Sequence, residues 1–97
     1  SYKEVLIDNE VFRIVIDSEG NTLTDMFLLE QLRIMRSSIA MEKNLPSYYL
    51  LHNNILVLIA TDKPTTREEL MSISGFGARK FEVWGDDILA IVSNYLK

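Results

Sequence analysis

Cysteine is absent from the 97-residue sequence, and histidine occurs only once, at His52. The first absence removes disulfides, thiolate chemistry and every cysteine-based zinc or iron–sulfur site. A single histidine leaves almost no material for a Ser-His-Asp triad or a multi-histidine metal site. Apolar runs are also short, and none approaches the roughly 18 residues of a membrane-spanning helix. The composition therefore favours a small module that binds or docks, with no membrane partner and no catalytic chemistry.

Positive charge is in short supply: ten basic residues face fourteen acidic ones, for a formal net charge of −4. The excess of acid lies near the start, because residues 1–24 carry −3 and residues 25–97 carry only −1. A nearly neutral domain binds nucleic acid weakly, through the placement of its basic side chains. The chain starts with Ser1 and has no signal-peptide pattern, so we expect a cytoplasmic fragment of a longer polypeptide.

The first 24 residues have the pattern of strands. Two runs rich in β-branched residues, 5–7 and 11–16, are joined by a short polar segment, and this pattern predicts a β-hairpin. In the second run Phe12 and Ile14 fall on one face. A two-stranded hairpin is marginal by itself. We therefore expect residues 1–24 to be a hairpin arm or linker that packs on its own domain, on a neighbouring domain or on another copy.

From residue 25 onward the apolar residues recur with a helical period. Proline ends two of the predicted helices, and a glycine at position 85 is expected to end another. The five predicted helices run from a cap at Thr24 or Asp25 to Asn44, from 55 to 60, from a cap at Thr65 or Thr66 to Gly75, from Ala78 to Trp84, and from near Asp86 onward. The sequence therefore predicts a mainly α protein, in which a compact five-helix bundle over 25–97 follows a short β-hairpin arm.

The most informative stretch is Ile-Ser-Gly-Phe-Gly-Ala-Arg-Lys at residues 73–80. Gly75 and Gly77 flank one apolar residue between two short helices, which predicts a tight turn of the helix-hairpin-helix kind. Backbone N–H groups at the start of the second helix would point outward, where a phosphate could lie beside Arg79 and Lys80. The alternative is a structural turn whose phenylalanine plugs the core, and so short a motif leaves both open. The stretch lacks the remaining residues of a dinucleotide fingerprint or a P-loop, so no cofactor is expected.

Further basic and aromatic candidates lie upstream. Arg33, Arg36 and Lys43 fall roughly opposite the apolar stripe of the first helix, and Tyr48 follows Pro46. Basic side chains can contact phosphates, and a tyrosine ring can stack on an unpaired base. The alternatives are a solvated helix face for the charges and a half-buried ring for the tyrosine.

Six short motifs follow one another in a recognisable order. They are Leu28-x3-Leu32-Arg33-x2-Arg36-x3-Ala40, Pro46-x-Tyr48, Leu56-x2-Ile59-Ala60, Pro64-x-Thr66-x2-Glu69-Leu70, Ile73-x-Gly75-Phe76-Gly77-x2-Lys80 and Trp84-Gly85-x2-Ile88-Leu89. Together, over residues 26–97, they resemble the HRDC domain, the helicase-and-RNase-D C-terminal module of RecQ-type DNA helicases and of RNase D. The pattern is most like that of a bacterial RecQ-type ATP-dependent DNA helicase.

The resemblance implies a non-catalytic accessory domain that binds single-stranded or branched DNA weakly, in the bacterial cytoplasm or nucleoid. It implies a five-helix bundle attached to the helicase catalytic core of the same polypeptide. The alternative is a docking domain that regulates that core or holds a protein partner and has little affinity for DNA. No catalytic or metal-binding residue is predicted. The expected nucleic-acid-binding residues are Arg33, Arg36, Lys43, Tyr48, Gly75, Gly77, Arg79 and Lys80.

Overall fold

The computed structural model describes residues 1–46 and 49–97. An antiparallel hairpin of β1 (Tyr2–Ile7) and β2 (Glu10–Val15) comes first, followed by the helices α1 (Met26–Lys43), α2 (Asn53–Asp62) and α3 (Arg67–Met71). The last helix, α4, covers 78–95 without a break, as α-helical Ala78–Lys80, a π-helical turn at Phe81–Gly85 and α-helical Asp86–Tyr95. The mainly helical architecture with an N-terminal hairpin is confirmed. The predicted number of helices is wrong, because the described residues form four.

The hairpin turn, Asp8 and Asn9, joins β1 to β2. Both residues have positive φ, 52° and 67°, which a two-residue hairpin turn of type I′ requires and which Asp and Asn tolerate better than most residues. Side chains alternate across a strand. Phe12 and Ile14 therefore share one face, as the sequence predicted; the structure buries that face against the helices and leaves Arg13 between them exposed.

One hydrophobic core joins the hairpin to the helices. Phe12 belongs to the same buried cluster as Leu32 of α1, Leu56 of α2, Leu70 of α3 and Trp84 of α4. Helix α2, apolar almost all round, packs against β2 and against α1. Of the packing options for the hairpin, the structure therefore shows the one on the helices of its own chain.

Capping side chains set two of the helix starts. Asp25 accepts a hydrogen bond from the backbone N–H of Leu28 at 3.0 Å at the start of α1. Thr66 accepts one from the backbone N–H of Glu69 at 3.1 Å, and the Glu69 carboxylate accepts one from the backbone N–H of Thr65 at 3.0 Å. Each bond satisfies a backbone donor that has no partner within the helix. The predicted caps at both places are confirmed.

Gly85 is the point at which the five-helix prediction fails. A glycine after a short helix often adopts the left-handed conformation that ends it. Gly85 instead has φ −59° and ψ −52°, which is right-handed helix. A Cβ built at this position would lie 2.6 Å from the ring of Phe81. The close approach of that ring requires the glycine, and the wide π turn carries α4 through without a stop.

Candidate nucleic-acid interface

The glycine turn, residues 75–77, connects α3 to α4. Gly75 has φ +85°, the left-handed region that glycine enters most readily. Phe76 is buried and packs edge-on against Phe81, with ring centroids 6.5 Å apart. Gly77 is exposed at the N-cap of α4, and a Cβ there would meet nothing within 4 Å. The phenylalanine therefore plugs the core while the backbone beside it remains open to solvent.

Two basic side chains follow this turn in the first turn of α4. Arg79 is exposed and Lys80 is half-buried. Within residues 1–46 and 49–97 neither side chain forms a hydrogen bond or an ion pair. Both charges are therefore available to an external anion, and they lie next to the first backbone N–H groups of α4.

Two contacts to the π turn of α4 come from the end of α1 and from the connector that follows it, residues 44–52. Lys43, the last residue of α1, has its Nζ 3.5 Å from the carbonyl oxygen of Val83. In the connector, the carbonyl oxygen of Tyr49 accepts a hydrogen bond from the indole N–H of Trp84 at 2.8 Å. Tyr48, the predicted stacking residue, lies outside the described residues.

Lys43 is thereby brought close to the start of α4, which carries Arg79 and Lys80. Val83 lies four residues beyond Arg79 and three beyond Lys80, a separation of about one helical turn. We call Lys43, Arg79 and Lys80 the turn cations. The structure places Lys43 beside Val83, one helical turn from the other two, although Lys43 and Arg79 are 36 residues apart in sequence.

Arg33 faces the hairpin instead. Its Nε and Nη2 donate to the two carboxylate oxygens of Glu30 at 3.0 and 2.7 Å, and its Nη1 donates to Asp8 at 3.2 Å. The bonds from Arg33 lower the pKa of Glu30, and the same pairing raises the pKa of Arg33. Glu30 lies one turn away on the same helix, whereas Asp8 is a partner that only the fold supplies.

Arg36 is held still more closely. Its Nη1 donates to the carbonyl oxygen of Leu51 at 2.9 Å and to Asn53 Oδ1 at 2.7 Å, and its Nη2 lies 3.2 and 3.3 Å from the two carboxylate oxygens of Glu10. Its side chain is only 11% exposed. Burial lowers the pKa of Arg36, and the Glu10 carboxylate opposes that shift. Arg36 thus joins α1 to the hairpin and to the start of α2, beside an open cleft of 710 Å³.

Arg67 is a basic residue that the sequence did not single out. It is the first residue of α3, is exposed, and its guanidinium carbon lies 4.7 Å above the ring centre of Phe81. A guanidinium over an aromatic face is attracted to the negative face of the ring. Arg67 precedes the glycine motif by several residues, and only the packing of α3 on α4 brings it to this ring.

Asp25 connects three helices. One carboxylate oxygen caps α1, and the other accepts a bond from the Tyr95 hydroxyl at 2.5 Å and lies 3.4 Å from Lys63 Nζ. Burial by itself would raise the pKa of Asp25, but these donors together lower it. The bond to Asp25 raises the pKa of the Tyr95 hydroxyl. Each group has a structural partner, so the cluster serves to hold the ends of α1, α2 and α4 together.

Two further findings concern the part of the chain that the structure describes. No group of three or more histidine, aspartate or glutamate side chains there could hold a metal ion. No helix in these residues has the length and apolar character needed to cross a membrane.

The fold and the site together define a class: a small helical module, braced by a hairpin, with cations beside a glycine-bounded turn that have no anionic partner among the described residues. The family model of the HRDC domain matches residues 25–92, and the chain belongs to this family. The resemblance drawn from the six motifs is therefore confirmed. The hairpin precedes the matched residues.

Relatives that match include two kinds of bacterial helicase. The ATP-dependent DNA helicase UvrD2 of Mycobacterium tuberculosis is 44% identical over 68 residues, which is 70% of this chain and 10% of that protein. The ATP-dependent DNA helicase RecQ of Pasteurella multocida is 34% identical over 73 residues, which is 75% of this chain and 12% of that protein. The chain therefore spans about a tenth of the length of these relatives.

A solved structure supports the same assignment. The third HRDC domain of RecQ from D. radiodurans superposes with a TM-score of 0.66 at 28% sequence identity, covering 72% of this chain and 92% of that one. The helical part of the fold is therefore shared along almost the whole of a known HRDC domain.

Proposed function

We propose that this chain is a non-catalytic accessory domain of an ATP-dependent DNA helicase of the RecQ or UvrD2 kind, and that it binds single-stranded or branched DNA weakly. Membership of the HRDC family and the presence of the same domain in both kinds of helicase support this assignment. The motor that hydrolyses ATP would lie elsewhere in the parent polypeptide, and the domain would add contacts to the DNA that the motor moves along.

The observation that carries the proposal is the set of turn cations. Arg79 and Lys80 have no anionic partner among the described residues, and Lys43 makes only a long contact to a neutral carbonyl. Unpaired cations beside exposed backbone N–H groups form a surface suited to phosphates. About three phosphate contacts predict a log–log dependence of affinity on salt with a slope of about −2 for a single strand. Such an interface is weak and is lost at high salt.

The test is a titration of the ¹⁵N-labelled protein with a single-stranded oligonucleotide of about 15 residues at low salt. The expected shifts cluster at Lys43 and at residues 75–80, and they diminish as salt is added. The double variant Arg79→Ala/Lys80→Ala should lose most of the binding. Its matched control is Lys3→Ala/Lys97→Ala, which removes the same charge from the two ends of the chain.

The control variant should retain nearly all of the affinity. Equal loss in both double variants would mean that net charge alone attracts DNA and that the turn cations form no site. A spectrum that does not change at millimolar oligonucleotide would contradict DNA binding altogether.

Docking is the second candidate function, and one observation favours it. The outward face of the hairpin carries three exposed apolar side chains, Tyr2, Leu6 and Val11, which are 60%, 72% and 51% exposed. A cluster of exposed apolar groups on one face is typical of contact with another protein surface. If this face docks on the helicase core, Leu6→Ser/Val11→Ser in the full-length parent should change its ATPase rate. DNA binding by the turn cations should stay the same.

A further inference from the structure

The hairpin turn lies against the two arginines of α1 that the sequence predicted to contact DNA. Asp8 contacts Arg33 at 3.2 Å and Glu10 contacts Arg36 at 3.2 Å. The two carboxylates are two residues apart, and the two guanidinium groups are one helical turn apart on α1. Carboxylate and phosphate oxygens are recognised by the same planar fork of N–H donors. The acidic residues around the hairpin turn thus occupy the positions that phosphates of a nucleic acid would take.

We propose that the hairpin turn competes with DNA. Asp8 occupies Nη1 of Arg33, whose other two donors bind Glu30, and Glu10 occupies Nη2 of Arg36. A DNA backbone extends its contacts along α1 only by displacing these two carboxylates. This inference rests on the proposed DNA-binding function and adds a second, latent phosphate-binding segment to the turn cations. It accounts for the position of the acid in this chain, because residues 1–24 carry most of the net negative charge.

The displacement involves the turn and not the whole hairpin. Phe12 is completely buried and Ile14 nearly so, and they fix β2 to the helices. The Asp8 side chain, by contrast, is 72% exposed, and that of Glu10 is 44% exposed. Although the arginine side chains are largely covered, water and salt reach the exposed carboxylate of each pair and screen its attraction to the guanidinium. The carboxylates can therefore yield to a polyanion while the strands stay in place.

Arg36 remains in position when Glu10 leaves. Its Nη1 is held by the carbonyl oxygen of Leu51 and by Asn53, and only its Nη2 is directed at Glu10. Displacement of Glu10 therefore exposes a guanidinium edge that is already oriented. A pre-organised donor loses little conformational freedom when it binds an anion.

The test is Asp8→Asn/Glu10→Gln, which keeps the shape of both side chains and removes their charge. Asn tolerates the left-handed conformation at position 8. We expect the affinity for a single strand of about 15 nucleotides to rise roughly five- to ten-fold at low salt, with a log–log salt slope steeper by about 1. The matched control is Glu4→Gln/Glu19→Gln, with the same charge change at acids that do not contact α1. It should alter the affinity less than about two-fold.

A second variant shows whether the gain passes through α1. Adding Arg33→Gln to the Asp8→Asn/Glu10→Gln protein should remove about half of the gain, because the Arg36 edge that Glu10 covered stays available. If the double variant folds poorly in a thermal scan, the single variant Asp8→Asn, which changes an exposed side chain, replaces it. Its affinity is then measured with and without Arg33→Gln.

Each outcome has one meaning. An equal gain in the Glu4/Glu19 control, or a gain that Arg33→Gln does not reduce, overturns the competition. Wild-type binding that depends on Arg79 and Lys80 but does not respond to Asp8→Asn/Glu10→Gln also overturns it, while leaving the proposed function intact. Absence of binding by the wild type and by every variant overturns both.

Discussion

The indole N–H of Trp84 donates a 2.8 Å hydrogen bond to the carbonyl oxygen of Tyr49, and this bond fixes Tyr49 of the connector to the centre of α4. Trp84 is completely buried. The indole ring therefore packs in the core. Its one polar atom gives the Tyr49 carbonyl the hydrogen-bond partner that this carbonyl lacks outside a regular helix. A loop backbone that is buried needs such a partner.

Trp84→Phe tests this bond. It removes the N–H donor and leaves a small void, so the free energy of unfolding in urea should fall by about 2–3 kcal/mol. The backbone amide resonances of residues 49–51 should move as well. Lys43→Met, which breaks the exposed contact between the end of α1 and α4, should cost less than about 0.5 kcal/mol. Unchanged connector resonances in Trp84→Phe would show that the bond does not position this segment.

The hairpin is expected to contribute strongly to the stability of the helices. Phe12→Ala leaves a cavity between β2 and the helices, and such a truncation typically costs about 3–5 kcal/mol. Leu6→Ala, on the exposed face of the same hairpin, is the control and should cost less than about 0.5 kcal/mol. The comparison is made by chemical denaturation. Similar values for both variants would contradict a shared core.

Two glycines of α4, Gly85 in the π turn and Gly77 at the N-cap, should respond differently to alanine. Gly85→Ala introduces a Cβ about 2.6 Å from the Phe81 ring, and the strain should outweigh the gain in helix propensity and destabilise by about 1–3 kcal/mol. Gly77→Ala places its methyl group in open space, at a φ of −95° that alanine adopts. It should change the stability by less than about 1 kcal/mol. A stabilised Gly85→Ala protein would mean that Phe81 can move aside.

Acid should weaken the Asp25 cluster. The pKa of Asp25 is lower in the folded protein than the ordinary value of 3.8. A carboxyl whose pKa is lowered by folding stabilises the folded state above its unfolded pKa, and that contribution disappears as the pH falls through the folded value. Stability should therefore decline below about pH 4. Asp25→Asn should show a shallower decline there, because it has no proton to take up.

The difference between Asp25→Asn and the wild type reports on Asp25 alone. The pKa values of Asp17, Glu30 and Glu69 are also lowered, but these groups titrate in both proteins. The measurement is the unfolding free energy as a function of pH. If the unfolding free energies of Asp25→Asn and the wild type fell equally steeply below about pH 4, the assigned pKa shift would be contradicted.

The local parts of the fold could be predicted because local rules determine them. The alternation around Phe12, the cap at Asp25 and the turn at Gly75 each depend on residues within a few positions. Gly85 shows where such rules fail. In sequence it resembles a helix end, and only the ring of Phe81 on the folded helix makes the glycine a packing requirement.

The candidate site divides in the same way. Arg79, Lys80 and the glycine turn are adjacent in sequence, so the motif itself predicts them as a group. Lys43 joins them only through the packing of α1 on α4. The pairing of Arg33 and Arg36 with Asp8 and Glu10 spans about 25 residues. Charge counts along a sequence contain no information about which acid will meet which base, so this pairing could not be predicted.

The burial of Phe12 affects how the molecule can be divided. The family pattern begins at residue 25, and a fragment trimmed to that limit would lack the ring that fills the face of α2. Water would then contact leucine and valine side chains that are buried in the intact chain. Such a fragment would tend to loosen or self-associate, and weak binding measured on it would report an exposed apolar surface in place of the native one. The smallest unit suitable for solution work on this domain therefore starts at the first strand, well before the family pattern does.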